Sequence, residues 1–175
     1  MPTHIVSVVN LFNILTHLEN CRYVCESGWD MFILNGKETC LKNQGKMRAD
    51  AGRDSCASVD AVVPVPSSQQ HNDELTAAFE KLDEITGASN VLLELKKTGA
   101  YYWVNSNDDL NPFFNWIYTE NINHEWINQD FASLRVHIGK WYDHTESEQV
   151  NVVCEKKAHF SCHNLNNPQS TYYQN

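Results

Sequence analysis

The side chains best suited to chemistry stand between residues 118 and 143, in a polar stretch rich in acids, amides and aromatic rings. His124 and Glu125 begin a near match to the zinc-protease helix H-E-x-x-H, but Asn128 replaces the second histidine. Without paired imidazoles, this stretch does not make that zinc site. The chain also contains no G-x-S-x-G elbow, P-loop or dinucleotide fingerprint. We therefore predict no catalytic residue, no metal ligand and no enzyme activity.

Trp126 is a large aromatic residue in the polar segment IYTENINHEWINQDF. Its ring either packs inward and fixes the loop, or faces outward toward a ligand. Together with Tyr118 and Tyr142, it could form a surface on which a sugar ring or a protein partner stacks.

Length and charge narrow the class of protein. A chain of 175 residues with 42% hydrophobic residues suits one globular domain with a sizeable core. The formal net charge of −9 argues against binding to nucleic acid or to anionic membrane surfaces, both of which select Lys and Arg.

The chain has six cysteines, an even number with uneven spacing. No C-x2-C pair typical of a zinc cluster is present. Three residues separate Cys21 from Cys25, and no matching pair follows. The pattern favours an oxidised disulfide framework in a secreted, extracellular protein.

Residues 1–20 have two interpretations. The apolar run from Ile5 to Leu15 is interrupted by Asn10 and Asn13, and no Lys or Arg precedes it. It is either a degenerate signal segment or an amphipathic helix. It is too short and too polar to predict a membrane span.

The remaining segments predict a mixed α+β fold. Asn35-Gly36 stands between two short apolar runs and predicts a β-hairpin. Residues 47–57 predict a first helix, and residues 72–85 a second one capped by Ser67 or Ser68. The predicted core stripe of the second helix comprises Leu75, Ala78, Phe79, Leu82 and Ile85.

Two further segments complete this pattern. Pro64 limits residues 61–65 to an edge strand or an extended segment. Near the C-terminus, Trp141, Tyr142 and Asp143 predict a turn, and residues 150–154 predict a half-buried strand that ends at Cys154.

Several of these motifs resemble the C-type lectin-like domain when they are taken in order. The closing segment Gly-Lys-Trp-Tyr-Asp before a final Cys-Glu is similar to the family's Gly-x-Trp-Asn-Asp, with Tyr142 in place of Asn. The resemblance covers roughly residues 25–155, and its other motifs are Cys-x2-Gly-Trp at 25–29, the apolar run at 91–95, Gly-Ala-Tyr-Tyr-Trp at 99–103 and Phe-Phe-Asn-Trp at 113–116.

The resemblance implies the family's longer form, which has an N-terminal hairpin disulfide. Its fold has two helices, antiparallel sheets and a long irregular loop region after Trp103, with the tryptophans at 29, 103, 116 and 141 in the framework. The domain is expected to span residues 21–162, followed by a polar C-terminal tail at 163–175.

The resemblance also implies disulfides from Cys25 to Cys40 and from Cys56 to Cys154. Cys21 and Cys162 remain, and we predict that they pair within the chain because domain termini often lie close together. The alternative is an intermolecular disulfide. A further disulfide of the family is missing, and Arg135 and Glu146 at its positions could form an ion pair.

Calcium-dependent members of this family bind sugar through carboxylate and amide oxygens around one ion. At the matching positions this chain has Glu120 without the adjacent proline, Ser133, Tyr142 and Asp143. Two carboxylates fall short of the six to eight oxygens that calcium takes, so we expect no cofactor.

The expected function is extracellular recognition, with carbohydrate binding at a degenerate calcium site. The alternative is calcium-independent protein recognition by the aromatic and acidic loop face. The predicted ligand-binding residues are Tyr118, Glu120, Asn123, Trp126, Tyr142 and Asp143.

Overall fold

The computed structural model describes residues 21–98, 102–104, 109–117, 129–145, 147–163 and 171–173. The chain divides into two compact units, of which the larger runs from Gly28 to Lys157. The described residues of the smaller unit are 21–27, 158–163 and 171–173.

The larger unit is built on a mixed sheet in the order β2-β3-β8-β4-β6-β7, with β5 paired to β4. Only the contact between β4 and β8 is parallel among these strand pairs of the described chain. The strands are β2 (Asp30–Leu34), β3 (Lys37–Met47), β4 (Asn90–Thr98), β5 (Tyr102–Val104), β6 (Gln129–Arg135), β7 (Lys140–Thr145) and β8 (Val150–Lys157).

The hairpin predicted at Asn35-Gly36 is confirmed as the connection between β2 and β3. Both turn residues have positive φ, 50° at Asn35 and 71° at Gly36. This is the backbone of a two-residue type I′ turn, which matches the right-handed twist of the two strands.

Two helices lie in the described part of the larger unit, α1 (Ala49–Ala57) and α2 (Gln69–Phe79). The predicted cap is confirmed at Ser68, whose hydroxyl accepts a hydrogen bond from the backbone N–H of His71 at 3.1 Å. The predicted extension of α2 to Ile85 is wrong. Beyond Phe79 the chain tightens into turns, and Glu84 adopts a positive φ of 65°, although Ile85 is still buried.

The sheet has an apolar core on each face. In β4, for example, Val91 and Leu93 belong to the main core together with α2, whereas Leu92 belongs to a second core together with α1. This alternation follows the two-residue period of a strand. The predicted framework tryptophans pack against these cores: Trp103, Trp116 and Trp141 in the main core, and Trp29 in the second.

All six cysteines are oxidised. The predicted bond from Cys56 to Cys154 is confirmed and joins α1 to β8. The bond from Cys21 to Cys162 is also confirmed and lies within the chain, not between chains. Cys25 and Cys40 are disulfide-bonded as well.

The smaller unit holds a three-stranded antiparallel sheet in the order β1-β9-β10. Its strands are β1 (Cys21–Val24), β9 (His159–His163) and β10 (Thr171–Tyr173). Cys21 lies directly opposite Cys162 in the register. Residues 1–20, for which a signal segment or a helix was predicted, lie outside the described residues. No described helix is both long enough and apolar enough to cross a membrane.

Candidate ligand-binding site

The strand pair β6–β7 carries the two described members of the predicted ligand set. A short 3-10 helix (Val136–Ile138) and Gly139, with a φ of 63°, form the turn between the strands. Tyr142 pairs with Ser133, and Asp143 pairs with Ala132. The turn predicted at residues 141–143 is wrong, because β6 supplies these residues with an antiparallel partner and the chain reverses at Gly139 instead.

Trp141 anchors β7 to helix α2. The side chain is 0% exposed, and its indole N–H donates a hydrogen bond to Asn72 Oδ1 at 2.7 Å. The amide of Asn72 in turn donates to the carbonyl of Gly139 at 2.9 Å. Because a buried N–H is costly to leave without a partner, Asn72 fixes the indole and with it the direction of β7.

The segment 115–117 lies along the outer edge of β7. The backbone N–H of Trp141 donates to the carbonyl of Asn115 at 2.9 Å, and the N–H of Ile117 donates to the carbonyl of Trp141 at 3.1 Å. The rings of Trp116 and Trp141 meet edge to face, with centroids 5.6 Å apart. These contacts fix the segment as far as Ile117, the residue before the predicted ligand loop begins at Tyr118.

Two apolar side chains near this segment face solvent. Leu110 is 61% exposed and Phe114 is 48% exposed. The rings of Phe113 and Phe114 both lie edge-on to the ring of Trp141, at centroid distances of 5.5 and 6.4 Å. Leu110 and Phe114 are therefore available for contact with a partner.

A hydrogen-bonded relay of Ser133, His144 and Glu148 lies on the face of β7 opposite to Trp141. Ser133 Oγ and His144 Nε2 lie 2.6 Å apart, and His144 Nδ1 lies 2.6 Å from Glu148 Oε2. An ionised carboxylate only accepts, so Nδ1 carries a proton and donates to Glu148. This hydrogen bond from His144 holds the pKa of Glu148 below its usual range.

The relay has the residue types of a serine hydrolase triad, but its serine is inaccessible. Ser133 is 0% exposed, so a substrate carbonyl cannot approach its hydroxyl. The relay instead ties β6 and β7 to the turn that leads into β8.

Arg135 lies beside the ring of Tyr142. Its guanidinium carbon is 4.8 Å from the centroid of that ring, and its Nε donates to Asn90 Oδ1 at 3.0 Å. The sequence also suggested an ion pair with Glu146, which lies outside the described residues. One face of Tyr142 is thus occupied by a cation–π contact.

Near the positions that the resemblance matches to calcium ligands, Ser133 and Tyr142 make other contacts. The hydroxyl of Ser133 is committed to His144, and the guanidinium of Arg135 places a positive charge beside Tyr142. A cation nearby disfavours a second one. Among the residues that the structure describes, no three His, Cys, Asp or Glu side chains group in a way that could hold a metal ion.

The structure thus locates two of the six predicted ligand-binding residues. Tyr142 and Asp143 are successive residues of β7, and both are half-buried. The other four predicted residues, Tyr118, Glu120, Asn123 and Trp126, lie outside the described residues.

Three residues that fix this part of the sheet were not predicted from the sequence: His144, Glu148 and Asn72. The spacing of His144 and Glu148 by four residues was a usable signal, since this pair hydrogen-bonds across the turn. Asn72 gave no signal, because its partner Trp141 is distant in the sequence.

The model of the C-type lectin domain family matches residues 45–156. This range is more than half of the chain, and the protein belongs to the C-type lectin domain family. The resemblance inferred from the sequence is confirmed. No curated protein sequence matches the chain.

Solved structures share the fold at low sequence identity. The carbohydrate-recognition domain of the mouse scavenger receptor C-type lectin is 18% identical, with 76% of this chain and 96% of that chain covered and a TM-score of 0.62. A calcium-independent type II antifreeze protein is 16% identical, with 78% of this chain and 97% of that chain covered and a TM-score of 0.61. The C-type lectin domain of murine dendritic cell inhibitory receptor 2 was solved in complex with an N-glycan. It is 18% identical, with 77% of this chain and 99% of that chain covered and a TM-score of 0.59.

Proposed function

We propose that this C-type lectin domain is an extracellular recognition module that binds carbohydrate without calcium, at the end of the sheet formed by β6 and β7. The observation that carries the proposal is the hydrogen bond between Ser133 and His144, because the resemblance places Ser133 near a position where calcium-dependent members of the family have an acid. Six oxidised cysteines support the extracellular location.

Without an ion, sugar hydroxyls must be held by protein groups directly. Asp143 supplies a carboxylate that can accept two such hydroxyls, and carboxylates make the stronger, charge-assisted bonds. In the predicted loop, Glu120 and Asn123 add polar groups, and Tyr118 and Trp126 add rings that stack on the apolar face of a sugar.

The similar structures support both parts of the proposal. One of them is a lectin domain in complex with an N-glycan, and another is described as calcium-independent. The same fold therefore hosts glycan binding in one protein and a calcium-independent state in another.

A glycan array tests this function when it is run once with calcium and once with a chelator. We expect the same glycans to bind in both conditions, and Asp143→Ala and Trp126→Ala each to weaken binding. Asp54→Ala is the matched control, because Asp54 is an exposed acid on α1. Binding that requires calcium, or that survives both site variants, would contradict the proposal.

The exposed Leu110 and Phe114 favour a second candidate function, recognition of a protein partner. Leu110→Ser would then abolish binding to that partner. Val62→Ser, at a comparably exposed apolar residue elsewhere, would leave binding unchanged. An array without any bound glycan would favour this second function over the first.

A further inference from the structure

Two arginines stack on aromatic rings on one face of the large sheet. The guanidinium carbon of Arg53 lies 4.6 Å from the ring centroid of Phe131. That of Arg135 lies 4.8 Å from the ring centroid of Tyr142. Phe131 and Arg135 are four residues apart on β6, and Tyr142 pairs with the residue midway between them, Ser133. Because alternate residues of a strand share a face, both stacked pairs lie on the face that carries the second core.

The charge of Arg53 is neutralised within the chain. Its Nε donates to Glu94 at 2.9 Å, and its Nη1 lies 3.7 Å from Asp50 Oδ1. Its Nη2 is buried. An anion from outside therefore finds no uncompensated charge at this arginine.

Arg135 stacks in the same way but has no acidic partner in the described part of the chain. Its Nε donates to the neutral amide oxygen of Asn90 at 3.0 Å, and among the described residues its Nη1 and Nη2 have neither a hydrogen bond nor an ion pair. Within the same residues, the one buried side-chain nitrogen or oxygen that lacks a hydrogen-bond partner is Arg53 Nη2. Both terminal nitrogens of Arg135 are therefore reached by solvent, while Asn90 and Tyr142 hold the guanidinium in place.

A second cation lies opposite Arg135. Lys140 is its partner in the register of β6 and β7, and the ammonium of Lys140 donates to the neutral amide oxygen of Asn115. The turn between them, residues 136–139, contains no acid. Like charges directly opposite each other on a strand pair are destabilising. An anion bound at this place would relieve the repulsion between the two cations.

Two acids of the same region are directed elsewhere. Asp143 pairs with Ala132, a residue of the main core, so its carboxylate lies on the opposite face from the stacked arginine. Glu148 is already hydrogen-bonded to His144. Neither carboxylate forms an ion pair with Arg135.

We propose that Arg135 binds an acid group of the saccharide ligand, a carboxylate or a sulfate, with Lys140 adding a second positive charge. The inference rests on the carbohydrate binding proposed above and names the ligand as an acidic saccharide. The two terminal nitrogens of Arg135 donate parallel hydrogen bonds to two oxygens of the acid group, as bidentate arginine pairs do. Stacking on Tyr142 fixes the plane of this fork.

Calorimetric titration of the full oxidised chain in the presence of a chelator tests this site. The probes are three oligosaccharides of equal length, one neutral, one with uronate carboxylates and one sulfated. We expect at least one acidic probe to bind at least about tenfold more tightly than the neutral one, because charge-assisted hydrogen bonds are the stronger ones. Equal affinities for all three would overturn the inference and leave carbohydrate binding intact, whereas binding of none of them would overturn both.

Inorganic sulfate separates a saccharide site from a site for the free anion. We expect it to bind more weakly than the acidic oligosaccharide, because it offers no sugar ring to the protein. Sulfate that binds as tightly as the acidic oligosaccharide would overturn the assignment of a saccharide ligand.

Three variants locate the site. Arg135→Gln should remove the preference for the acidic probe, and Arg135→Lys, which keeps the charge but not the fork, should retain only part of it. Arg48→Gln is the matched control, because Arg48 is an exposed arginine at the start of α1. A preference that survives Arg135→Gln, or that Arg48→Gln removes equally, would overturn the proposal. Full retention in Arg135→Lys would overturn the bidentate geometry.

Discussion

The large sheet is held together by different means at β3–β8 and at β6–β7. At β3–β8, Leu41, Val152 and Val153 are fully buried, and the disulfide from Cys56 to Cys154 ties β8 to α1. At β6–β7, Leu134 and Trp141 are also fully buried, but the additional contacts are polar side-chain hydrogen bonds, such as those of Trp141 with Asn72 and of Ser133 with His144.

The difference separates the determinants of folding from those of recognition. Apolar burial and a covalent bond tolerate many neighbouring sequences, as long as volume and period are kept. Polar contacts require particular partners at particular distances, and they place specific groups at the surface. The end of the sheet that carries the candidate ligand residues is the one that adds polar contacts to its apolar core.

Loss of the Cys56–Cys154 disulfide should have the largest effect. The bond closes a loop of 98 residues, for which the chain-entropy model gives about 4.7 kcal/mol. Replacing both cysteines by Ala should lower the free energy of unfolding by up to this amount, as measured by denaturant titration. A loss below about 1 kcal/mol would mean that apolar burial alone holds β3–β8.

Asn72→Ala should have the next largest effect. It leaves the buried indole N–H of Trp141 without its acceptor, which should cost about 1–3 kcal/mol. In a Trp141→Phe background the indole N–H is absent, so the same Asn72→Ala change should cost less there. Equal losses from Asn72→Ala in the two backgrounds would contradict the assigned role of the indole hydrogen bond.

His71, next to Asn72 on α2, should make stability depend on pH. Burial lowers the pKa of His71 from 6.5, and the charge of Lys37 lowers it further, whereas Glu74 acts in the opposite direction. The folded state therefore binds fewer protons than the unfolded state, and its stability falls as the pH drops below 6.5.

Denaturant titrations at several pH values check this dependence. The slope due to His71 can reach at most about 1.4 kcal/mol per pH unit. His71→Gln should flatten the profile below pH 6.5. Parallel profiles for the wild type and the variant would refute the effect.

Glu148 should produce a smaller effect at more acidic pH. Its hydrogen bond with His144 lowers its pKa from 4.5, so its contribution is present above that pH and is lost as the pH falls through the folded-state value. Half of the side chain is exposed, which limits the effect through solvent screening. Glu148→Gln should reduce the loss of stability at acidic pH. An unchanged pH dependence of the free energy of unfolding below pH 4.5 would argue against the relay.

The apolar half of the fold was accessible from the sequence for a physical reason. Burial of α2 has the period of a helix, so its apolar stripe could be recognised. The strand predicted at 150–154 lies in β8, but β8 continues to Lys157, and all five predicted residues are buried, so the strand is not half-buried there. The hairpin was equally visible, because Asn35-Gly36 fits a turn in which both residues need positive φ.

Most of the polar contacts were not accessible, because they join residues that are distant in the chain. Glu94 interrupts the apolar run at 91–95, and nothing near it in sequence explains a charged residue there. In the structure, Arg53 of α1 donates to it at 2.9 Å and lies over the ring of Phe131. The relay from Ser133 to Glu148 likewise required the register of β6 and β7, which no local pattern encodes.

The central claim is that the β6–β7 end recognises its ligand without calcium. Its most direct test is the melting temperature of the oxidised chain with a chelator and with about 10 mM calcium, a concentration above the dissociation constants of extracellular calcium modules. We predict the same melting temperature in both conditions, since a bound ion would stabilise the folded state by mass action. A saturable rise with calcium that Asp143→Ala abolishes would contradict the account.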